Sequence, residues 1–257
     1  MVRPARRPVV VKIGGSTLGT HDTTIAELAA LARDGLPLVI VHGGGKTITE
    51  WLARLGASTR FVRGLRVTDA PTLETVVAVL GGLVNTQIVA ELAARGVPAV
   101  GLSGVDDGLF LVEPDDPALG FVGRVVECNV GLVRQLLAAG RTPVIAPIGR
   151  GRASEQLYNL NGDTAAGVLA RALGAERLVF LTEVAGVRGP DGALISTLTA
   201  AEAQRLIGQG VIAGGMIPKV EAGLAAGEAV IADGRAPGAV VAALQGTAGT
   251  VVRAVGA

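Results

Sequence analysis

The chain has 257 residues, 49% of them hydrophobic, with 23 lysine and arginine residues against 22 aspartate and glutamate residues. A formal net charge of +1 supplies no field for binding a polyanion, and aromatic residues at 2% supply no base-stacking surface, so we expect no nucleic-acid partner. The longest uncharged stretches, 75–90 and 236–252, fall short of the roughly 20 apolar residues that cross a membrane, so we expect no membrane partner.

Scarce cysteine and histidine limit the disulfide and metal chemistry of the chain. Cys128 is the single cysteine, and two histidines without a cysteine cluster do not build a usual zinc site. The basic N-terminal stretch has an apolar run that ends at Lys12, without the small-residue cleavage site of a secretory signal. We therefore expect a cytoplasmic protein with no metal held by its own side chains.

Six apolar runs of strand length recur along the chain. They do not alternate between apolar and polar residues, which is typical of strands covered on both faces. The runs are Val9–Ile13, 37–42, 98–103, 142–148, Arg177–Thr182 and 229–233.

Helical patterns lie between several of these runs. They cover 24–35, 72–96, 130–140, 163–175 and 218–227, and most of them close with glycine. Strand and helix therefore alternate, which predicts an α/β fold with a mostly parallel sheet and helices on both faces. The segment 112–120 has turn residues and acids, which predict a hairpin or flap.

Two glycine clusters follow the first two runs, at the edge of the sheet where ligands of such folds bind. Gly14 and Gly15 follow the first run, and 43–45 follow the second. Neither cluster is a dinucleotide fingerprint or a Walker loop, so each by itself is also explained by a tight turn. Together they offer backbone N–H groups at helix N-termini, which suit an anion.

Two lysines stand where a cation is costly. Lys12 interrupts a buried strand, so it is either a lysine that snorkels from an edge strand or the partner of a phosphate. Lys219 opens a helix, where the macrodipole disfavours a cation unless an anion binds beside it.

Several polar residues have two interpretations each. Asp163 is either the N-cap of a helix or, with Asn159 and Asn161, part of a ligand site. Arg66 is either half of a surface ion pair or a fork for a carboxylate. His42 stands directly before the second glycine cluster, and we interpret it as structural rather than catalytic.

Eight segments in fixed order, from residue 10 to about residue 253, together resemble the amino acid kinase family, and most closely its branch that phosphorylates N-acetyl-L-glutamate. The segments are VKIGGS, VHGGGK, RGLRVTD, VLGGLVN, GLSGVDDGLF, YNLNGDTAA, LTEVAGV and GGMIPKVEAG. The resemblance implies a three-layer αβα sandwich around a mainly parallel central sheet. It further implies one domain over 1–257, with an acyl-substrate lobe at 1–175 and an ATP-binding lobe at 176–257.

The activity that the resemblance implies is transfer of the γ-phosphoryl group of ATP to the side-chain carboxylate of N-acetyl-L-glutamate, a step of arginine biosynthesis. Lys12 and Lys219 would neutralise the phosphoryl group, and Asp163 would orient both lysines. Substrate binding would fall to Gly44, Gly45, Arg66, Asn159 and Asn161. ATP binding, largely through backbone, would fall to Gly14, Gly15, Thr182, Glu183, Val184, Gly186, Val187, Ile212, Ala213 and Gly214.

This chemistry is consistent with the scarcity of histidine. A carboxylate acceptor, with a reference pKa of about 4.3 for glutamate, is already ionised at neutral pH and needs no general base. Mg²⁺ would be held mainly by the ATP phosphates.

Three features depart from the family pattern or bear on assembly. Lys46 follows the glycines where relatives often have proline or a small residue, and we expect it to be solvated on a first helical turn. Gly162 stands where many relatives have alanine. The chain starts shortly before its first strand, whereas arginine-inhibited hexameric members have an extra N-terminal helix, so we expect a homodimer without strong arginine inhibition.

Three alternatives remain open at this point. A sister kinase that acts on α-aminoadipate linked to a carrier protein also matches GLSGVDDGLF and the terminal GTVVR, but the uninterrupted GLRVTD favours a free substrate. A non-catalytic amino-acid or nucleotide sensor is disfavoured because Lys12, Lys219 and Asp163 are all present. Phosphorylation of a nucleotide or of carbamate finds no support in GLRVT.

Overall fold

The structure is a computed structural model, and it describes residues 6–14 and 23–254. The strands within these ranges are β1 (Val9–Ile13), β2 (Leu38–His42), β3 (Phe61–Val62), β4 (Leu65–Arg66), β5 (Ala99–Ser103), β6 (Phe110–Pro114), β7 (Gly123–Cys128), β8 (Thr142–Ala146), β9 (Ile148–Gly151), β10 (Leu157–Asn159), β11 (Arg177–Thr182), β12 (Thr197–Thr199), β13 (Glu228–Asp233) and β14 (Thr250–Arg253). The α-helices are α1 (Thr24–Arg33), α2 (Gly45–Arg54), α3 (Ala70–Val77), α4 (Asn85–Ala94), α5 (Gly131–Ala138), α6 (Gly162–Leu173), α7 (Ala200–Gly208), α8 (Met216–Ala226) and α9 (Ala239–Gln245).

The central sheet contains all six predicted strands. Its order is β12-β14-β13-β11-β1-β2-β8-β5, and every neighbouring pair is parallel except β13 and β14. This confirms the mainly parallel sheet. The strands β12 and β14 were not among the predicted runs, because strands of three or four residues give too short an apolar pattern.

Helices cover both faces of this sheet. Val10 of β1 belongs to a core cluster with residues of α5, α6 and α8, whereas Val9 and Val11 belong to a second cluster with residues of α1, α4 and α9. Successive side chains of a strand point to opposite faces, so the two clusters lie on opposite sides of the sheet. The three-layer αβα prediction is therefore confirmed, and it explains why the runs show no polar alternation.

The longest helical stretch joins α3 and α4 through a π-helical segment, Ala78–Val84. The whole stretch, Ala70–Ala94, is long and apolar enough by length and composition to cross a membrane, if isolated glutamates are allowed within it. The sequence analysis considered only uncharged runs, which end at these glutamates, and therefore did not identify the stretch. One side of the stretch packs into the second core cluster through Val76, Val79, Leu80, Val84, Ile88 and Leu92.

Two smaller sheets accompany the central sheet. A four-stranded sheet of order β10-β9-β6-β7 contains the antiparallel pair β6 and β7, which confirms the hairpin predicted around 112–120. The hairpin of β3 and β4 lies beside it, since Thr68 pairs with Gly120. The central sheet runs without interruption past residue 175, where β11 joins β1. The division into two lobes at that point stays a prediction.

Candidate active site

Lys12 lies in the middle of the central sheet. Its strand β1 is flanked by β2 and β11, where Lys12 is paired with Val41 and Phe180. The interpretation as a snorkelling lysine of an edge strand is therefore wrong. The residue is only 8% exposed, so its ammonium group needs an anionic partner within the protein.

That partner is Asp163, and it is shared with the second lysine. The Nζ atom of Lys12 lies 2.8 Å from Oδ1 of Asp163, and the Nζ atom of Lys219 lies 2.9 Å from Oδ2. The Lys219 ammonium also donates to the carbonyl oxygen of Gly215 at 3.1 Å. Two cations on one carboxylate leave this group of three side chains with a net charge of +1. A buried excess positive charge favours a further anion at the same place.

Asp163 is held in this position by the start of α6. The N-cap is Asn161, whose Oδ1 accepts from the backbone N–H groups of Asp163 and Thr164 at 2.9 and 3.0 Å. The alternative in which Asp163 itself caps the helix is therefore wrong. Burial opposes ionisation of the Asp163 carboxyl, but the charges of Lys12 and Lys219 outweigh it and hold its pKa below the ordinary value. The group is thus an anion at neutral pH.

The approach of Lys219 to Asp163 depends on close packing between α6 and α8. Lys219 is the fourth residue of α8, not its opening residue, since the helix starts at Met216. A Cβ atom placed on Gly167 of α6 would lie 2.8 Å from both Cβ and the carbonyl oxygen of Ala222 in α8. Only glycine allows the two helices to lie this close.

The second glycine cluster forms a turn from β2 into α2 and borders a small cavity. The cavity has a volume of about 160 Å³, and Gly43, Gly44, Gly45, Arg66 and Asn159 contribute to its lining. The first N–H groups of a helix have no intrahelical partner, so the start of α2 offers donors at this cavity. Lys46 is exposed on the first turn of α2, which confirms the expectation of a solvated lysine.

Arg66 is buried beside the same cavity, with 7% of its surface exposed. Its Nη2 donates to the carbonyl oxygen of Gly45 at 2.8 Å and to Oγ1 of Thr49 at 2.9 Å, and its Nη1 donates to Oγ1 of Thr59 at 3.2 Å. All these partners are neutral, so the surface ion pair is wrong. A buried guanidinium without an anionic partner among these contacts is suited to a carboxylate ligand.

Asn159 is coupled to Arg66 through Thr68. The Nδ2 atom of Asn159 donates to Oγ1 of Thr68 at 3.1 Å, and that hydroxyl donates to the Arg66 carbonyl oxygen at 2.9 Å. The threonines 49, 59 and 68 were missed in the sequence analysis. No local pattern distinguishes them from surface threonines, because their role depends on contacts across α2, β4 and β10.

A larger cavity, of about 530 Å³, adjoins the small one. Leu65, Val122, Leu160 and Asn161 border both cavities, and Ile217 and Pro218 of α8 border the larger one. The two cavities thus connect the glycine turn with the start of α8, where Lys219 lies. This is the size range of small-molecule sites.

The predicted ATP-binding residues lie at the ends of β11 and β1 and before α8. Thr182 ends β11 and makes a turn, in which its Oγ1 accepts from the Val184 N–H at 3.0 Å. Val187 and Ile212 are buried in the core, so only their backbone can meet a ligand. Gly186 has φ +149°, and a Cβ atom there would lie 2.5 Å from Oγ1 of Thr250.

The other members of this set are placed as follows. Gly14 donates its N–H to the Leu181 carbonyl oxygen at 3.2 Å. Glu183 and Val184 are exposed, and Ala213 and Gly214 lie just before α8. Gly15 lies outside the described residues.

Within 6–14 and 23–254, no group of three or more His, Cys, Asp or Glu side chains is arranged to hold a metal.

A mainly parallel αβα fold with paired cations at the carboxyl ends of its strands defines a class of enzymes that handle anionic groups. The chain belongs to the amino acid kinase family, whose model matches residues 7–232.

Named relatives narrow the comparison. The chain is 46% identical over 265 residues to an acetylglutamate kinase of Cereibacter sphaeroides strain ATCC 17029, covering 98% of this chain and 89% of the relative. It is 45% identical over 254 residues to an acetylglutamate kinase of Dehalococcoides mccartyi, covering 95% and 93%. It also resembles a solved N-acetylglutamate synthase of Neisseria gonorrhoeae in complex with coenzyme A and N-acetyl-glutamate. That likeness has a TM-score of 0.85 and 27% identity, over 98% of this chain and 61% of the synthase.

Proposed function

We propose that this protein is an ATP-dependent kinase that phosphorylates the side-chain carboxylate of N-acetyl-L-glutamate. The observation that carries the proposal is the Asp163 carboxylate with Lys12 and Lys219 on its two oxygens, next to a cavity bordered by a glycine turn and Arg66. Relatives 43–46% identical over nearly the whole chain are acetylglutamate kinases. The product is an acyl phosphate, which belongs to arginine biosynthesis.

The chemistry needs positioning and charge neutralisation rather than a base. The acceptor carboxylate, with a reference pKa of about 4.3, is ionised at neutral pH and attacks the γ-phosphorus without losing a proton. Two anions must approach one another, and the ammonium groups of Lys12 and Lys219 offset their repulsion and the charge on the transferring oxygens. Asp163 keeps both ammonium groups facing the same point.

The acceptor is held by groups on the opposite side of the cavity. Arg66 binds the α-carboxylate through N–H donors not used by Gly45, Thr49 and Thr59. The N–H groups of Gly44 and Gly45 face the reacting carboxylate. Asn159 and Asn161 complete the contacts, and the Oδ1 of Asn161 is already occupied by the start of α6, so Asn161 offers its Nδ2 as a donor.

ATP enters from the side of β11 and α8. The segments around Thr182 and Gly214 bind it mainly through backbone, since Val187 and Ile212 turn their side chains into the core. Mg²⁺ would be held mainly by the nucleotide phosphates and would supply further neutralisation of phosphoryl charge. Asp163 is not its ligand, because both carboxylate oxygens are taken by lysines.

Trapping of the acyl phosphate as a hydroxamate tests this function. The purified protein is incubated with ATP, Mg²⁺ and hydroxylamine, and with N-acetyl-L-glutamate, N-acetyl-L-aminoadipate or free glutamate in parallel. A strong signal with N-acetyl-L-glutamate alone is expected. No signal with any acceptor, while ATP still binds, would favour a carrier-linked substrate or a sensor.

We further propose that the protein is cytoplasmic and works as a homodimer without strong inhibition by arginine. The scarcity of cysteine supports the compartment. Addition of arginine to the same assay tests the last point, and a large loss of activity would contradict it.

A further inference from the structure

His42 is a buried titratable group in contact with the glycine turn, and the mechanism above does not use it. It ends β2 and is fully buried. Its Nδ1 lies 2.9 Å from the carbonyl oxygen of Gly43, and its Nε2 lies 3.1 Å from Nδ2 of Asn85. A carbonyl only accepts and an amide nitrogen only donates, so one state satisfies both contacts: a neutral ring with its hydrogen on Nδ1.

Asn85 is oriented independently of the histidine. Its Nδ2 lies 2.9 Å from the carbonyl oxygen of Val144 in β8 and 3.3 Å from that of Leu102 in β5. Carbonyl acceptors require the amide nitrogen, and not the amide oxygen, at this position; its two hydrogens serve the nearer acceptors, Val144 and His42, and Leu102 at 3.3 Å shares one of them. A Cβ atom on Gly101 would lie 2.1 Å from Oδ1 of Asn85, so the other side of the amide is confined as well. The direction of the hydrogen bond to His42 is thereby set.

The neutral state of the ring suits this site. Burial lowers the pKa of His42 to about 4, the Gly43 carbonyl opposes that effect, and the charge of Lys12 adds to it. A protonated ring would repel Lys12 and would have no acceptor left for the Asn85 amide. At neutral pH the ring is therefore a fixed donor to Gly43.

The bond to Gly43 determines the direction of a donor in the cavity. The Gly43 carbonyl and the Gly44 N–H belong to one planar trans peptide unit, so they point in opposite directions. The next two carbonyls are held too, that of Gly44 by the Ile48 N–H at 2.9 Å and that of Gly45 by Arg66. Three consecutive carbonyls of the turn thus have hydrogen-bond partners, which fix the orientation of its peptide units.

We infer that His42 and Asn85 are positioning residues, which hold the Gly43 carbonyl so that the Gly44 N–H is aimed at the reacting carboxylate. The inference rests on the proposed function for what the N–H meets, but not for the hydrogen bonds. Asn85 fixes the orientation of the His42 ring, and the His42 ring fixes the orientation of the peptide unit between Gly43 and Gly44.

Two substitutions at His42 separate its two contacts. The side-chain amide nitrogen of asparagine stands close to the place of Nδ1, so His42→Asn keeps the donor to Gly43 and loses the contact with Asn85. Glutamine reaches the place of Nε2, so His42→Gln keeps an acceptor for Asn85 and loses the donor to Gly43. Both variants leave one buried contact unmade, and we expect similar losses of thermal stability.

Turnover is expected to differ between them. In the hydroxamate assay, His42→Gln should lower kcat about tenfold or more with the KM for ATP within about twofold, because a misdirected donor acts on the transition state. His42→Asn should stay within about threefold of the wild type. Equal kcat values for the two variants, or losses that follow thermal stability, would overturn the inference.

An NMR measurement decides the geometry without relying on any variant at His42. The chain has two histidines, so long-range ¹H–¹⁵N spectra of [¹⁵N]histidine-labelled protein show two rings, and His21→Gln identifies the signal of the other. A neutral ring with hydrogen on Nδ1 is expected for His42 at pH 7, and hydrogen on Nε2 or on both nitrogens would overturn the inference. Absence of turnover in the wild type would contradict the proposed function instead, and the spectrum would still decide the hydrogen bonds.

Discussion

The three lysines of this chain, Lys12, Lys46 and Lys219, all lie around the candidate site. Lys12 and Lys219 meet on Asp163, where each ammonium group contacts one carboxylate oxygen. Breaking such a buried pair leaves an unpaired charge, so each substitution changes both stability and chemistry. Residue-scale tests must therefore measure both.

Removal of either ammonium group that we propose to be catalytic should abolish most turnover. Lys12→Ala and Lys219→Ala are each expected to lower kcat by about 10²–10³, the usual cost of losing one group that stabilises transition-state charge. The hydroxamate assay measures kcat, and circular dichroism checks that the fold is intact. Arg141→Ala, at an exposed position, serves as the control. Unchanged turnover in either lysine variant would contradict its role.

Asp163→Asn should reveal the lowered pKa through the pH dependence of stability. At pH 7 the substitution is expected to lower the free energy of unfolding by about 3–5 kcal/mol, because two buried ammonium groups lose their anion. Since the folded pKa lies below the ordinary value, this contribution is complete above about pH 5 and is lost as the pH falls below about 4.

Urea unfolding of the wild type and of Asp163→Asn over a range of pH measures this difference. The difference in the free energy of unfolding between the two proteins is expected to be constant from pH 8 to about pH 5 and to decrease only below about pH 4. A difference that already narrows between pH 7 and pH 5 would mean that the pKa of Asp163 is raised, contrary to the geometry.

Arg66 should act on acceptor binding more than on the chemical step. Arg66→Ala is expected to raise the KM for N-acetyl-L-glutamate by tenfold or more, with the KM for ATP within about twofold, because the guanidinium faces a carboxylate distant from the reaction. Arg60→Ala, at an exposed position directly before the same hairpin, is the matched control. A loss confined to kcat would argue against the α-carboxylate clamp.

At the scale of elements, the site depends on how closely helices and strands approach one another. Asp163 comes from α6 and Lys219 from α8, so the distance between these helices sets the distance between their charges. The pair is close because Gly167 lies against Ala222 without a side chain. The contact between Asp163 and Lys219 thus depends on a small residue in each helix.

Gly167→Ala should separate the two helices and weaken the site. An added methyl group here overpacks the contact, with an expected cost of about 1–3 kcal/mol in the free energy of unfolding and a loss of kcat. Gly208→Ala, at the end of α7, meets no atom within 4 Å and should instead stabilise the protein slightly. Denaturant unfolding and the kinase assay compare the two variants. Equal stability and equal kcat for Gly167→Ala and Gly208→Ala would show that the contact between Gly167 and Ala222 is not tight.

At the scale of the whole molecule, the apolar stretch Ala70–Ala94 is only partly covered by the core. Its mean hydropathy in the most apolar window is 1.7, yet only 39% of that window is buried. Ala78, Gly81 and Gly82 are exposed along one side, with Val77 and Leu83 half-buried next to them. An uncharged side of small residues that the core leaves open is consistent with the homodimer that we propose.

A charge on this surface should dissociate the homodimer. Light scattering is expected to give twice the chain mass for the wild type and the single mass for Ala78→Glu, because a carboxylate would be buried without a partner. Ala201→Glu, on the exposed start of α7, should leave the mass unchanged. A wild-type protein that scatters as a monomer at all concentrations would contradict the proposal.

The sequence by itself determined the sheet and much of the site. Six unalternating apolar runs predicted six of the eight strands of the central sheet, because strands covered by helices on both faces need apolar residues at most positions. The cost of burying Lys12 pointed to an anion before any contact was known, and the order of the motifs pointed to the family. These features are local in the chain, so local reasoning reaches them.

Only the tertiary structure decided which groups meet. Asp163 is separated by more than fifty residues from Lys219 and by more than one hundred from Lys12, and nothing at its own position distinguishes a helix cap from a shared counter-ion. The same holds for Thr68 between Arg66 and Asn159, and for Asn85 behind His42. Hydrogen bonds and ion pairs depend on distances of about 3 Å, which arise when strands and helices pack and leave no trace in the residues nearby.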